Sequence, residues 1–200
     1  MIFISPSKFR LRGIFRGVII RVATPLANRG VSPNTITYLT LLFAVLAFLS
    51  LLEHVQILYG IFVFLVGFFD GVDGAVARIT NRASPFGGFS DSVVDKIAEV
   101  ILIFSILISY PNELIFDIPL AWWVIICISS WLLTSYIRAR AESYDVKDLD
   151  IGLGGRSERL FILCVFSLFN FLFIGLFLVS IIGVLTAAYR FHHYSQQLNS

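Results

Sequence analysis

The sequence predicts an all-α integral membrane protein, with six transmembrane helices preceded by an amphipathic helix at the membrane interface. Three observations lead there. Of 200 residues, 58% are hydrophobic and 14% charged, and the mean hydropathy is +0.87; soluble domains carry about 45–50% and 25%. Long apolar runs alternate with short polar turns. In a six-span arrangement, all 15 lysines and arginines lie on or near one face. The length fits one domain, divided into an interfacial helix at 1–31 and a six-helix transmembrane domain at 32–200.

Residues 1–31 do not read as a span. Lys8, Arg10, Arg12, Arg16 and Arg21 interrupt Phe9, Ile14, Phe15, Val18, Ile19, Ile20 and Val22. A basic, mixed helix of this kind lies in the interface plane beside anionic headgroups. A signal peptide needs an uninterrupted apolar centre, which Arg16 and Arg21 break. Ser32-Pro33-Asn34 is a helix start: a capping side chain, then proline where its missing N–H does no harm. The run 35–52 can cross about 30 Å of hydrocarbon. A second span follows at about 56–77, and Ser84-Pro85 repeats the start signal for a third at about 86–110. A short return loop, Pro111-Asn112-Glu113, leads to a fourth span at about 118–141. Trp122, Trp123 and Tyr110 suit an interfacial aromatic belt. After a polar loop at 142–155, residues 156–189 are too long for one helix, and a break near Asn170 divides them into two short spans. Cys127 and Cys164 sit in apolar runs and read as packing residues.

Six basic residues precede the first span, and the others cluster around the turn after the second span, the start of the third, the 142–155 loop and the chain's end. By the positive-inside rule that face is cytoplasmic, so the N-terminus and the acidic residues described next open toward the cytoplasm of a multi-pass cell-membrane protein. A compact chain without a targeting segment suits a prokaryotic membrane.

Asp70, Asp73, Asp91 and Asp95 stand between two apolar runs. An ionised side chain at mid-bilayer costs roughly 2.5–3.5 kcal/mol on insertion scales, so four of them call for a cation, a water-filled cavity, or both. At about 100° per residue, Asp70 and Asp73 lie within about 60° on one helix face, and Asp91 and Asp95 within about 40°. The short turn between the two spans makes them antiparallel neighbours, and the four carboxylates can converge as in bundle-core metal sites. An all-oxygen set suits Mg²⁺, Mn²⁺ or Ca²⁺ rather than zinc. Gly71, Gly74, Ala75, Ala77, Gly87 and Gly88 make small-residue surfaces nearby. These serve close helix packing or the approach of a phosphate-bearing ligand to the backbone.

The pattern Asp70-x2-Asp73-Gly74-x2-Ala77-Arg78-x8-Gly87-x3-Asp91-x3-Asp95 resembles the signature of the CDP-alcohol phosphotransferases at every fixed position. The resemblance implies integral membrane enzymes in which an alcohol hydroxyl attacks the β-phosphorus of a CDP-linked lipid and CMP leaves. It implies Asp70, Asp73 and Asp91 as ligands of Mg²⁺ or Mn²⁺, with two ions expected, and Asp95 as general base and possible further ligand. It implies donor contacts from Asp70, Gly74, Ala77, Arg78 and Gly87, and it implies a homodimer. Asn34 and Thr37 match the family's start of the first span and either touch the nucleotide or serve capping alone.

Ser135-Tyr136-Ile137-Arg138-Ala139-Arg140-Ala141-Glu142 and Gly155-Arg156-Ser157-Glu158-Arg159 are similar to the branch that uses inositol 1-phosphate, the phosphatidylinositol phosphate and archaetidylinositol phosphate synthases. Branch members often carry lysine where Arg138 stands. The resemblance implies an acceptor-phosphate site at Ser135, Arg138, Arg156, Arg159 and Arg190, since guanidinium groups bind phosphate bidentately. Ordinary flanking and snorkelling account for any single arginine. The competing acceptor is glycerol 3-phosphate. A different class, a channel or transporter, lacks a matching acidic set on the other face and any inverted repeat. Nothing points to nucleic acid.

Overall fold

The computed structural model describes residues 11–146, 149, 151–152 and 154–199. Lys8, Arg10 and Lys147, to which the sequence assigned roles in charge placement, lie outside the described residues. The described helices are α1 (Leu11–Asn28), α2 (Pro33–Leu52), α3 (Gln56–Ile79), α4 (Pro85–Ser109), α5 (Leu120–Glu142), α6 (Arg156–Leu168) and α7 (Leu172–Leu198). Both proline starts are capped as the sequence predicts. Ser32 Oγ accepts from Thr35 N at 3.2 Å, and Ser84 Oγ accepts from Gly87 N at 3.0 Å.

Helices α2, α3, α5 and α7 are long and apolar enough to cross a membrane. Helix α4 spans 25 residues but carries Asp91, Asp95, Lys96 and Glu99, and α6 is only 13 residues long. The divide between α6 and α7 falls at Asn170, whose φ of 60° reverses the chain where asparagine tolerates the left-handed region.

Three expectations are corrected. The chain is not purely α: strands β1 (Leu114–Ile115) and β2 (Ile118–Pro119) pair antiparallel around Phe116 and Asp117, both at positive φ. The return between α4 and α5 thus satisfies its own backbone groups, and α5 begins at Leu120 rather than 118. The spans bearing the aspartates are also not close-packed partners: α2 packs along both α3 and α4, which touch each other little. Helix α2 thus bridges α3 and α4 along most of their length, and the two acidic helices approach each other over a short stretch.

The main core runs through α2–α7, with Leu51, Tyr59, Leu102, Ile106, Trp131, Leu163 and Leu176 fully or almost fully buried. Two of its largest polar side chains are hydrogen-bonded: Tyr59 Oη donates to Leu102 O at 3.0 Å, and Trp131 Nε1 to Val179 O at 3.3 Å. A second cluster joins Ala23 of α1 to Ile36 of α2 and to Val72 and Val76 of α3. Helix α1 therefore rests on α3 by one face, while Arg16 and Arg21 stay exposed.

Candidate active site

Asp70 and Asp73 come from the last three turns of α3, and Asp91 and Asp95 from the second and third turns of α4. Each pair shares a helix face because its spacing is three or four residues. Carboxylate oxygens of Asp70, Asp91 and Asp95 all lie within 4.8 Å of one another. Asp73 takes a different partner: it accepts from Thr37 Oγ1 of α2 at 2.8 Å and from the amide of Gly74. The site therefore draws on α2 as well as on α3 and α4, and Thr37 is a buried member of it.

Arg156, the first residue of α6, reaches into the carboxylates. Its Nη1 lies 2.5 Å from Asp70 Oδ1, its Nη2 2.8 Å from Asp95 Oδ1 and its Nε 3.0 Å from Glu99 Oε1. A planar guanidinium with five N–H donors can serve three carboxylates at once, which a lysine cannot do in one plane.

Two cavities flank this cluster. One, of about 200 Å³, is lined by Asn34, Thr37, Asp73, Gly74, Ala77, Arg78, Gly87 and Asp91. Gly87 has a steric role here: a Cβ on it would lie 3.1 Å from Ser84 Oγ and 3.6 Å from Asn34 Oδ1. The other, of about 570 Å³, is lined by Asp91, Asp95, Ser135, Arg138, Arg156, Arg159 and Arg190, among others. Every residue expected to touch donor nucleotide or acceptor phosphate lines one of the two, except Asp70, which lines a narrow apolar groove with Arg156. That groove runs between Phe15 and Ile19 of α1, Phe64 and Phe68 of α3, and Leu160 and Phe161 of α6.

The arginines of the large cavity differ in what they do. Arg190 is only 6% exposed, donates from Nε to Ile151 O at 2.9 Å and from Nη1 to Thr134 O at 3.0 Å, and so ties the 142–155 loop and α5 to α7. Arg159 is 2% exposed, with its guanidinium 4.4 Å from the Trp131 ring. Its Nε and Nη1 have no hydrogen-bond partner among the described residues. A buried cation left in that condition is costly unless an anion completes it. Arg138 is exposed on α5.

Lys96 enters the sequence argument only as a basic residue at the start of the third span, and Glu99 does not enter it. Glu99 continues the spacing of Asp91 and Asp95 by four more residues, and that repeat is the signal that could have found it.

A family profile for CDP-alcohol phosphatidyltransferases matches residues 30–191. The chain belongs to the CDP-alcohol phosphatidyltransferase family. It is 34% identical over 178 residues to the archaetidylinositol phosphate synthase of Pyrococcus horikoshii, covering 89% of this chain and 91% of that one. It is also similar to the crystal structure of Mycobacterium tuberculosis phosphatidylinositol phosphate synthase with CDP-DAG bound, at a TM-score of 0.75 and 25% identity, over 88% of this chain and 93% of that one. The same mycobacterial enzyme in complex with manganese and citrate matches at a TM-score of 0.73 and 26% identity, over 88% of each chain. This CDP-alcohol phosphatidyltransferase is thus a multi-pass membrane enzyme. The three-aspartate cluster fits a divalent metal in both donor chemistry and spacing.

Proposed function

We propose that the protein transfers the lipid-phosphoryl group of a CDP-lipid to a hydroxyl of inositol 1-phosphate, releasing CMP. The observation that carries this is the meeting of the two cavities at Asp91, one lined by the signature's small residues and Arg78, the other by arginines. In this reading the CDP moiety occupies the cavity of Asn34, Gly74, Arg78 and Gly87. Its lipid chains follow the apolar groove that ends at Asp70. The acceptor phosphate lies in the arginine cavity, where the open Nε and Nη1 of Arg159 give it a partner.

The acceptor oxygen bonds to the β-phosphorus, and the bond from that phosphorus to the bridging oxygen of CMP breaks. Asp95, whose carboxylate lies 2.8 Å from Arg156, takes the hydroxyl proton. Asp70, Asp73 and Asp91 would hold two Mg²⁺ or Mn²⁺ ions, with Asp95 as a further ligand. When bound, such ions offset charge on attacking and leaving oxygens of the displacement. Thr37 keeps the Asp73 carboxylate oriented. Six spans, an interfacial α1 and a cytoplasm-facing site complete the reading, supported by the one-sided placement of basic residues and the exposed Arg16 and Arg21 of α1; the homodimer rests on the family resemblance alone.

The test is CMP release by purified enzyme with CDP-diacylglycerol or CDP-archaeol and a panel of acceptors. Inositol 1-phosphate is expected to support turnover in the presence of Mg²⁺ or Mn²⁺. Turnover with glycerol 3-phosphate but none with inositol 1-phosphate overturns the acceptor assignment.

A further inference from the structure

Glu99 is a carboxylate 2% exposed in the middle of a long helix, outside the family signature, and it does not line either cavity. It stands behind two cations that line the larger one. Lys96 Nζ donates to both its oxygens, at 2.7 and 2.8 Å, and Arg156 Nε lies 3.0 Å from Oε1. A partner for Lys96 alone need not be buried; an exposed pair three residues apart on one helix would satisfy it. Glu99 instead turns toward α6 and meets Arg156 through Nε, so that beyond the contacts to Asp70 and Asp95 one N–H remains on each of Nη1 and Nη2.

That division of partners has a consequence. Asp70 and Asp95 belong to the carboxylate cluster of the reaction centre, whereas Glu99 lies outside it. We propose that Glu99 is a positioning residue: through Nε it keeps Arg156 aimed at the arginine cavity, so that the acceptor phosphate meets a pre-oriented guanidinium. This rests on the phosphotransfer reading above. Glu99 touches no reacting atom. It restricts the Arg156 side chain from the far side, as outer partners do for groups that must be held to a fraction of an ångström. The contact is a buried ion pair, which water and salt screen far less than an exposed one.

Glu99→Gln keeps the shape and one acceptor oxygen but removes the charge. The expected result is an inositol 1-phosphate KM raised about tenfold or more, on the scale of one buried charge pair. The CDP-lipid KM stays within about twofold and kcat within about threefold. Glu99→Asp keeps the charge with shorter reach and falls between the two. The double variant Glu99→Gln/Arg156→Lys has an acceptor KM no higher than Arg156→Lys alone, because residues acting through one another are non-additive. Calorimetric titration of inositol 1-phosphate into the donor-free enzyme gives the same ranking without turnover. Unchanged acceptor KM and affinity in a folded Glu99→Gln or Glu99→Asp protein overturn the proposal. So do additive effects in the double variant, or losses in all parameters that simply follow the melting temperature. A wild-type enzyme that releases no CMP with inositol 1-phosphate overturns the functional reading instead, while its binding titration still reports on Glu99.

Discussion

The hydroxyl of Thr37 on α2 donates to the carboxylate of Asp73 on α3 at 2.8 Å, and both side chains are buried. This bond joins the first predicted span to the acidic cluster and fixes one of the signature aspartates. Thr37→Val leaves a buried carboxylate short of a partner and is expected to destabilise by about 1–3 kcal/mol, with lower CMP release. Thr37→Ser preserves the donor and stays near wild type. Thermal unfolding in detergent and a turnover assay check both, and a Thr37→Val enzyme equal to wild type in each would remove Thr37 from the site.

Asp95→Asn is expected to lower CMP release by about 10²–10⁴-fold, the range of a lost general base, while circular dichroism shows the helices intact. An Asp95→Asn enzyme of normal rate would leave proton abstraction to another group.

Arg159→Met separates binding from stability. Methionine fills much of the same space and still contacts Trp131, and it removes a buried guanidinium lacking hydrogen-bond partners on Nε and Nη1. The melting temperature is expected to hold or rise, while the acceptor KM rises about tenfold or more. A fall in stability with no change in acceptor KM would make Arg159 purely a packing residue.

Arg190→Met should act the other way. It loses two buried hydrogen bonds to backbone carbonyls, those of Ile151 and Thr134. The expected cost is about 2–4 kcal/mol, with faster proteolytic cleavage in the 142–155 loop. Unaltered cleavage and stability would contradict its role as a tie.

Chelation with EDTA should abolish turnover, and Mg²⁺ or Mn²⁺ should restore it. Asp70→Asn and Asp91→Asn should each raise the metal concentration needed, read directly from bound Mn²⁺ by electron paramagnetic resonance. Metal-independent turnover would contradict the carboxylate assignment.

Much of this was legible in the chain because the signals are local. Ser32-Pro33 and Ser84-Pro85 mark helix starts by capping chemistry confined to four residues, and Asn170 marks a reversal by its own backbone preference. The aspartates share helix faces by phase alone. What escaped depends on distance along the chain. Thr37 meets Asp73 across 36 positions, and Arg190 bonds carbonyls 39 and 56 positions away. Periodicity cannot report such pairings, so Arg190 read as a ligand contact when two of its nitrogens are structural. The bridging of the acidic helices by α2 escaped for the same reason, since a short turn implies neighbours without saying how closely they pack. Glu99 was visible as a third step in the Asp91, Asp95 spacing, but nothing local distinguishes a positioning carboxylate from a helix-face ion pair.

Helix α6 has 13 residues, a rise of about 20 Å, against a hydrocarbon layer of about 30 Å. In the six-span reading its far end turns at Asn170, so Arg156 at its other end opens about 10 Å beneath the nearer surface of the layer. The bilayer must dip there, or water and headgroups must descend to meet the charges. The cost of that dip grows with membrane thickness by a fraction of a kcal/mol per Å. Turnover in reconstituted vesicles should therefore fall as lipid chains lengthen, making this enzyme a gauge of the membrane whose lipids it helps to build.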